Sequence, residues 1–194
     1  LKTKVERAGQ VMLALTIPIA VIAGLVIQPL IQLLLGLGPA DTARVVLVTR
    51  VFLLGISGHA LVELFVRSFY AMQKPKVPLM LSAFTLLVYL GSGLLLSARY
   101  EAAGIAAANT LAYTLQALVL FILLSKVLAE KLELLPTLAR AVIAALLGGA
   151  AAWLVMRFAP IPGGALAASI AAGLLGLLPA ALVLRKELRA LTSL

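Results

Sequence analysis

The chain has 194 residues, of which 63% are hydrophobic and 12% are charged, and its mean hydropathy is +1.16. An ordinary soluble domain carries about 25% charged residues, so this composition all but excludes a soluble enzyme or a soluble nucleic-acid-binding module, and it excludes a disordered chain. The formal net charge is +9, and the absence of cysteine excludes disulfides and thiolate metal sites. The chain is therefore predicted to be an integral membrane protein.

Six stretches are long and apolar enough to cross a bilayer as helices, which takes about 20 residues each. They lie near residues 9–36, 45–70, 77–97, 103–125, 138–158 and 164–184. The connections are short and carry glycine, proline and charged residues, at 36–41, 73–76, 99–101, 126–137 and 160–164. None of them is long enough for a soluble domain. The predicted fold is an all-α polytopic transmembrane helix bundle of six spans.

Basic residues are distributed unevenly across this topology. Six spans put both termini on one side, and the other side holds only Arg44, Arg50, Arg99 and Arg157. The basic residues on the terminal side are Lys2, Lys4, Arg7, Arg67, Lys74, Lys76, Lys126, Lys131, Arg140, Arg185, Lys186 and Arg189. Because basic loops remain in the cytoplasm, both ends are predicted to be cytoplasmic. The charge is thus first an orientation signal and only secondarily an attraction for anionic lipids, and no nucleic-acid partner is expected.

Two features of the apolar spans predict close helix packing. Pro18 and Pro29 lie within the first span, where each removes a backbone hydrogen bond; they predict either a static kink or a moving hinge. Small residues recur every four positions in the last two spans, which favours close approach of two helices. They are Ala141, Ala145 and Gly149, and then Gly164, Ala168, Ala172 and Gly176.

The second span carries three ionisable residues on one helical face, His59, Glu63 and Arg67, at i, i+4 and i+8. Ionisable groups in a membrane are costly and are candidates for function. One interpretation is a polar lining or a proton-responsive group in a water-filled cavity. The other is structural: Arg67 extends to the cytoplasmic edge, Glu63 neutralises it, and His59 packs between helices.

The sequence contains no pattern typical of an enzyme site. No Ser/His/Asp arrangement is apparent, one histidine with scattered acids does not predict a metal site, and no phosphate-binding glycine loop is present. We therefore expect no catalytic residue, no metal and no cofactor. Leu1 is not an initiator methionine, and the charged residues after it do not form a signal peptide, so we expect the chain to be the downstream part of a longer protein.

A longer pattern surrounds the charged face of the second span. It runs from Gly58 through Glu63 to the segment Arg67-Ser68-Phe69-Tyr70-Ala71 and on to Lys76-Val77-Pro78. This pattern resembles the "E…R-x-FYA" signature of the MurJ/MviN family, the bacterial lipid II flippases of the multidrug/oligosaccharidyl-lipid/polysaccharide exporter superfamily. The run 103–108, Ala-Gly-Ile-Ala-Ala-Ala, resembles the opening of the family helix two spans later.

The resemblance implies a fold of fourteen spans, of which this chain is the last six. Residues 1–126 would be the four C-terminal helices of the second transporter lobe. Residues 127–194 would be the extra C-terminal transmembrane helix pair, with a groove for a prenyl tail, and a cytoplasmic tail. It implies alternating access that carries the undecaprenyl-pyrophosphate-linked peptidoglycan precursor across the bacterial inner membrane. The partners are then a polyprenyl-linked lipid, membrane lipids and upstream helices of the same protein.

The resemblance also selects candidate residues. His59, Glu63, Arg67 and Tyr70 are the candidates for contact with the substrate cavity. Some family members coordinate sodium, and Asn109 and Thr110 are the candidates for such an ion site. Two other functions stay open at this point: a flippase for another polyprenyl-linked sugar, such as an O-antigen or teichoic-acid precursor, and a membrane scaffold that transports nothing.

Overall fold

A computed structural model describes residues 2–128, 132–158 and 164–187, and these ranges contain helices and no strand. The helices are α1 (Lys2–Leu35), α2 (Pro39–Ala71), α3 (Lys76–Leu128), α4 (Leu135–Phe158) and α5 (Gly164–Val183). All five are long and apolar enough to cross a membrane. The features predicted at Leu1, Lys131, Pro160, Pro162, Gly163 and Arg189 lie outside the described residues.

Helix α3 consists of two membrane-spanning arms. Its 53 residues would extend about 80 Å if straight, far more than the roughly 30 Å of a bilayer core. Glu101 has φ 50° and ψ −130° and breaks the helix there, so we call residues 76–100 the first arm and residues 102–128 the second arm. Gln116 in the second arm donates a hydrogen bond to Ser82 Oγ in the first, at 3.2 Å. The arms therefore fold back on each other, and the prediction of six spans is confirmed.

The turns between helices form where the sequence carries its glycines and prolines. Gly36 has φ 58° and donates its amide to the carbonyl of Gln32 at 3.1 Å, which ends α1. Pro39 then occupies the first turn of α2, where its missing N–H costs no hydrogen bond. Helices α1 to α4 extend past the predicted spans at one end or both, and α1 begins at Lys2 rather than at residue 9. Hydropathy identifies the apolar part of a helix, and polar turns can continue it into the interface.

Helix α1 lies at the centre of the bundle, with α2 on one side and α4 and α5 on the other. The second arm of α3 packs against α2. The main apolar cluster joins α2 to the second arm through Phe65, Phe69, Leu120 and Leu124, which are fully buried. The predicted division of the chain at residues 126 and 127 stays a prediction.

The contact between α4 and α5 is built from small residues. Gly148 on α4 and Gly176 on α5 stand so close that a Cβ on either one would lie 2.6–2.7 Å from the carbonyl oxygen of the other. The predicted small-residue stripe of α4 is buried at Ala141, Ala145 and Gly149. In α5 the stripe is buried at Ala172 and Gly176, whereas Gly164 is exposed. The predicted close packing is thus confirmed over most of its length.

The Pro29 region of α1 is tied to α2 by an arginine. Arg50 Nε donates a hydrogen bond to the carbonyl oxygen of Gly24 at 2.7 Å. The next residue is Leu25, whose carbonyl has no helical donor because Pro29 lacks an N–H. The arginine therefore links the two helices at a point where α1 is locally weakened.

Candidate functional site

The candidate residues on α2 share one face of an uninterrupted helix. His59, Glu63, Arg67 and Tyr70 follow one another at spacings of four, four and three residues, which keeps them in one row along a helix of 3.6 residues per turn. Glu63, Arg67 and Tyr70 are exposed, and His59 is half-buried. We call this row the polar face of α2.

The centre of the polar face is an ion pair. Arg67 Nε donates a hydrogen bond to Glu63 Oε1 at 2.7 Å, and a second guanidinium nitrogen lies 2.7 Å from the same oxygen. The two side chains are 74% and 60% exposed. An exposed pair at i, i+4 in water contributes only about 0.3–0.5 kcal/mol, so the fold does not depend on it. The pair instead fixes two opposite charges on a surface that the other described helices leave open.

His59 differs from the rest of the polar face because it packs against a second helix. Its ring stacks on the ring of Tyr113 in the second arm, with centroids 4.0 Å apart and planes inclined by 18°. His59 Nδ1 lies 2.9 Å from the carbonyl oxygen of Gly55. A carbonyl oxygen only accepts, so Nδ1 carries a hydrogen. This geometry supports the interpretation of His59 as a contact between helices, and Tyr113 is the partner that sequence analysis missed.

The two candidates for an ion site have different surroundings. Thr110 Oγ1 donates to the carbonyl oxygen of Val51 on α2 at 2.9 Å, and Gly55 leaves the room for this approach, since a Cβ there would stand 2.7 Å from the same Oγ1. Thr110 is thus engaged in helix packing. The side-chain oxygen of Asn109 is buried without a hydrogen-bond partner within the described residues.

No acidic cluster accompanies Asn109. Across residues 2–128, 132–158 and 164–187, no three His, Cys, Asp or Glu side chains come together in a way that could hold a metal ion. A cation at Asn109 would therefore have to be held by amide, hydroxyl and backbone oxygens, of which Asn109 offers one that is unused.

The outer surface of the bundle is apolar almost everywhere else. On the first arm of α3, Leu79, Leu87, Leu94 and Leu95 are between 67% and 77% exposed. Such a surface suits the hydrocarbon of a membrane or further transmembrane helices. The polar face of α2 carries an exposed ion pair and so differs from the apolar surface of the first arm.

Comparison with known proteins agrees with this architecture. No curated protein matches the chain. The sequence model of one family, described as "Lipid II flippase MurJ", matches residues 1–172. The matched region contains the polar face of α2, both arms of α3 and the first turns of α5. A family that transports a lipid-linked precursor requires membrane-spanning helices, and the described helices are long and apolar enough to be such spans. The chain belongs to the MurJ family of lipid II flippases.

Proposed function

We propose that this chain is the C-terminal part of a lipid II flippase that moves the undecaprenyl-pyrophosphate-linked peptidoglycan precursor to the outer leaflet by alternating access. The protein makes and breaks no covalent bond of its substrate. Its work is the rocking of helix bundles around a polar cavity. The family match over residues 1–172 supports the substrate class, and the six spans support the architecture.

The observation that carries the proposal is the exposed ion pair of Glu63 and Arg67. Helix α2 has 33 residues and is about 50 Å long, roughly 20 Å longer than a bilayer core. Glu63 is eight residues before the end of α2 at Ala71, about 12 Å along the axis, which puts it at the edge of the hydrocarbon. A charged group at such a depth is costly unless it faces water or polar groups. A hydrated cavity between two lobes supplies that environment.

The remaining predictions of topology form part of the same proposal. Both ends of the chain lie in the cytoplasm, and further helices upstream of residue 1 close the cavity opposite the polar face of α2. Helices α4 and α5 provide the groove for the prenyl tail, and their exposed leucines, such as Leu146, Leu174 and Leu178, offer the apolar surface that a tail requires. Asn109 is kept as a candidate ligand for a coupling ion.

The test compares two ion pairs of α2. Glu63→Gln combined with Arg67→Gln removes the pair on the polar face. Asp41→Asn combined with Arg44→Gln is the matched control, because this pair is also exposed but lies at the other end of α2, with 3.6 Å between its charged atoms. Both variants are made in the intact protein, and the measurement is the rate at which fluorescent lipid II in proteoliposomes becomes accessible to a membrane-impermeant reagent.

We expect the Glu63/Arg67 variant to flip lipid II at least about tenfold more slowly than the wild type, which corresponds to about 1.4 kcal/mol in the activation barrier. The Asp41/Arg44 control should stay within about twofold of the wild-type rate. Full flipping activity in the Glu63/Arg67 variant would remove the polar face from the transport path. The same assay with polyprenyl-linked lipids that carry other sugars shows which of these lipids the protein transports. Binding of lipid II with no transport in the wild type would contradict the proposal as a whole.

A further inference from the structure

The ring of His59 has one nitrogen that the fold leaves unused. Nδ1 keeps its hydrogen because it donates to the carbonyl oxygen of Gly55 at 2.9 Å. Nε2 has no hydrogen-bond partner among the described residues, and it is not enclosed by them. The half-buried ring therefore presents Nε2 at the surface of the bundle. Histidine is the side chain whose charge ordinarily changes between about pH 5 and pH 8, so this nitrogen is a place where a proton can bind.

The stack of His59 on Tyr113 is compatible with both charge states of the imidazole. The two rings are 4.0 Å apart and inclined by 18°, so the contact uses a face of the imidazole, whereas Nε2 points outward in the plane of its ring. A cation above the face of a tyrosine is attracted by the negative charge of that face. A proton on His59 therefore preserves the contact between the helices, and one residue can both pack and bind a proton.

The groups that face His59 determine what a proton there changes. Among the described residues, the second arm brings Tyr113 to this part of α2, together with the uncharged Thr110 and Thr114. Helix α1 is joined to α2 here by a hydrogen bond between two hydroxyl groups, which carry no charge either. On α2 itself the neighbouring charge is the carboxylate of Glu63, one turn closer to the end of the helix. The first charge that a protonated His59 meets is therefore negative.

Glu63 is placed to pair with either of two cations. It lies four residues after His59 and four residues before Arg67, and residues at this spacing on a helix are neighbours, with Cβ atoms about 5–6 Å apart. The Glu63 and Arg67 side chains are 60% and 74% exposed, so packing does not hold either of them in one rotamer. The carboxylate can therefore turn towards His59 once that ring becomes positive.

We propose that His59 Nε2 is a proton-binding site of the polar face of α2, and that its protonation draws Glu63 away from Arg67. A proton on Nε2 gives the ring a positive charge and a second N–H to donate, and the carboxylate then divides its contacts between two cations. Arg67, which now makes its 2.7 Å contacts with Glu63, gains freedom to bind another anionic group. That the anionic group belongs to the transported lipid rests on the proposed function, whereas proton binding and the loosening of the ion pair do not.

The test follows both side chains by NMR of the intact protein in lipid bilayers, with isotope-labelled histidine and arginine nitrogens. The His59 signals are those that His59→Phe removes, and the Arg67 Nε signal is the one that Arg67→Gln removes. His59→Phe keeps an aromatic ring against Tyr113 and lacks the nitrogen that binds the proton. Tyr113→Phe is the matched control, because it keeps the stack and removes the other titratable group.

We expect the His59 nitrogens to change from the neutral to the cationic pattern between about pH 8 and about pH 5. The Arg67 Nε signal should shift at the same midpoint, both in the wild type and in Tyr113→Phe. In His59→Phe and in Glu63→Gln the Arg67 signal should show no shift at that midpoint. Glu63→Gln leaves the stack untouched and keeps the test decisive if His59→Phe does not fold.

The flipping assay provides a second readout of the same site. The ratio of the flipping rates at the two ends of this pH range should differ between the wild type and His59→Phe by about twofold, the effect of one charge pair at i, i+4. Tyr113→Phe should keep the wild-type ratio. An equal ratio in the wild type and His59→Phe would show that a proton on His59 does not act on transport.

Two NMR results would overturn the proposal. A His59 ring that stays neutral or stays charged over the whole range would show that Nε2 does not bind and release a proton there. An Arg67 signal that shifts equally in the wild type and in His59→Phe would assign the response to the Glu63 carboxylate alone. If the NMR results are as expected and the wild type does not flip lipid II, the proposed function fails and the proton site remains, so the two proposals fail separately.

Discussion

Replacing Gly176 with alanine tests whether the contact between α4 and α5 depends on the absence of a side chain. A Cβ at this position would stand 2.7 Å from the carbonyl oxygen of Gly148 and 3.1 Å from Ala152 Cβ. Ordinary contacts of a Cβ begin at 3.4 Å. The two helices must therefore separate by about 0.7 Å at their crossing, or α5 must rotate, and overpacking of this kind costs about 1–3 kcal/mol.

Gly173→Ala is the matched control on the same helix. A Cβ there would stand 3.7 Å from the nearest atom, Cγ2 of Val26, which is ordinary contact. Both variants gain the helix propensity of alanine over glycine, about 0.8–1 kcal/mol. The difference between them therefore isolates the overpacking, about 1–3 kcal/mol, or roughly 3–10 °C in the midpoint of unfolding for a chain of this length.

The assay is thermal unfolding of the purified chain in a mild detergent, followed by tryptophan fluorescence. The chain has a single tryptophan, Trp153, which follows Ala152 on α4 and reports on the unfolding of that helix. We expect Gly176→Ala to unfold below Gly173→Ala and Gly173→Ala to unfold at or above the wild type. If Gly176→Ala were as stable as Gly173→Ala, the reasoning from the glycine contact would be refuted.

Three further substitutions are compared in the same unfolding assay. Arg140→Gln should lower the free energy of unfolding by about 2–3 kcal/mol, because it leaves the 5% exposed Glu187 side chain unpaired. Adding Glu187→Gln to this variant should restore most of the lost stability. An Arg140→Gln variant as stable as the wild type would contradict this expectation. His59→Ala should lower the free energy of unfolding by about 1 kcal/mol, because it removes the stacking on Tyr113, whereas His59→Phe should be about as stable as the wild type. Equal losses of stability in the two variants would argue against the stack. Glu101→Gly should raise the free energy of unfolding by about 1 kcal/mol, since glycine adopts φ 50° without strain. A lower stability of this variant would show that the glutamate side chain contributes to the turn.

The six spans were predictable from the sequence because the length of an apolar stretch is fixed by bilayer thickness. The ion pair of Glu63 and Arg67 was predictable for a similar reason, since a spacing of four residues determines which side chains meet on a helix. The break at Glu101 was expected as a short connection at 99–101, but the structure reduces it to one residue with positive φ. Hydropathy locates the polar connection but does not determine how many of its residues leave the helix.

Contacts between helices were not predictable in the same way. The stacking of His59 on Tyr113 depends on the rotation and axial register of α2 against the second arm, and no local pattern encodes either. The ion pair of Arg140 with Glu187 joins two residues more than 40 positions apart in the sequence, so Arg140 by itself resembles an ordinary interfacial arginine. The sequence assigns Arg140 to a side of the membrane, but its partner is determined by the packing of α4 against the residues that follow α5.

The central claim, that the polar face of α2 lines a hydrated path, is tested most directly by the reactivity of single cysteines in the intact protein. The chain has no cysteine of its own. Ile56, which is 40% exposed, lies seven residues before Glu63 on the same face and farther from the end of α2 at Ala71, whereas Leu87 on the first arm of α3 is 67% exposed. The account predicts that a charged, membrane-impermeant thiol reagent labels Ile56→Cys and leaves Leu87→Cys unlabelled. Labelling of neither position would show that the polar face ends at the membrane interface and would contradict the account.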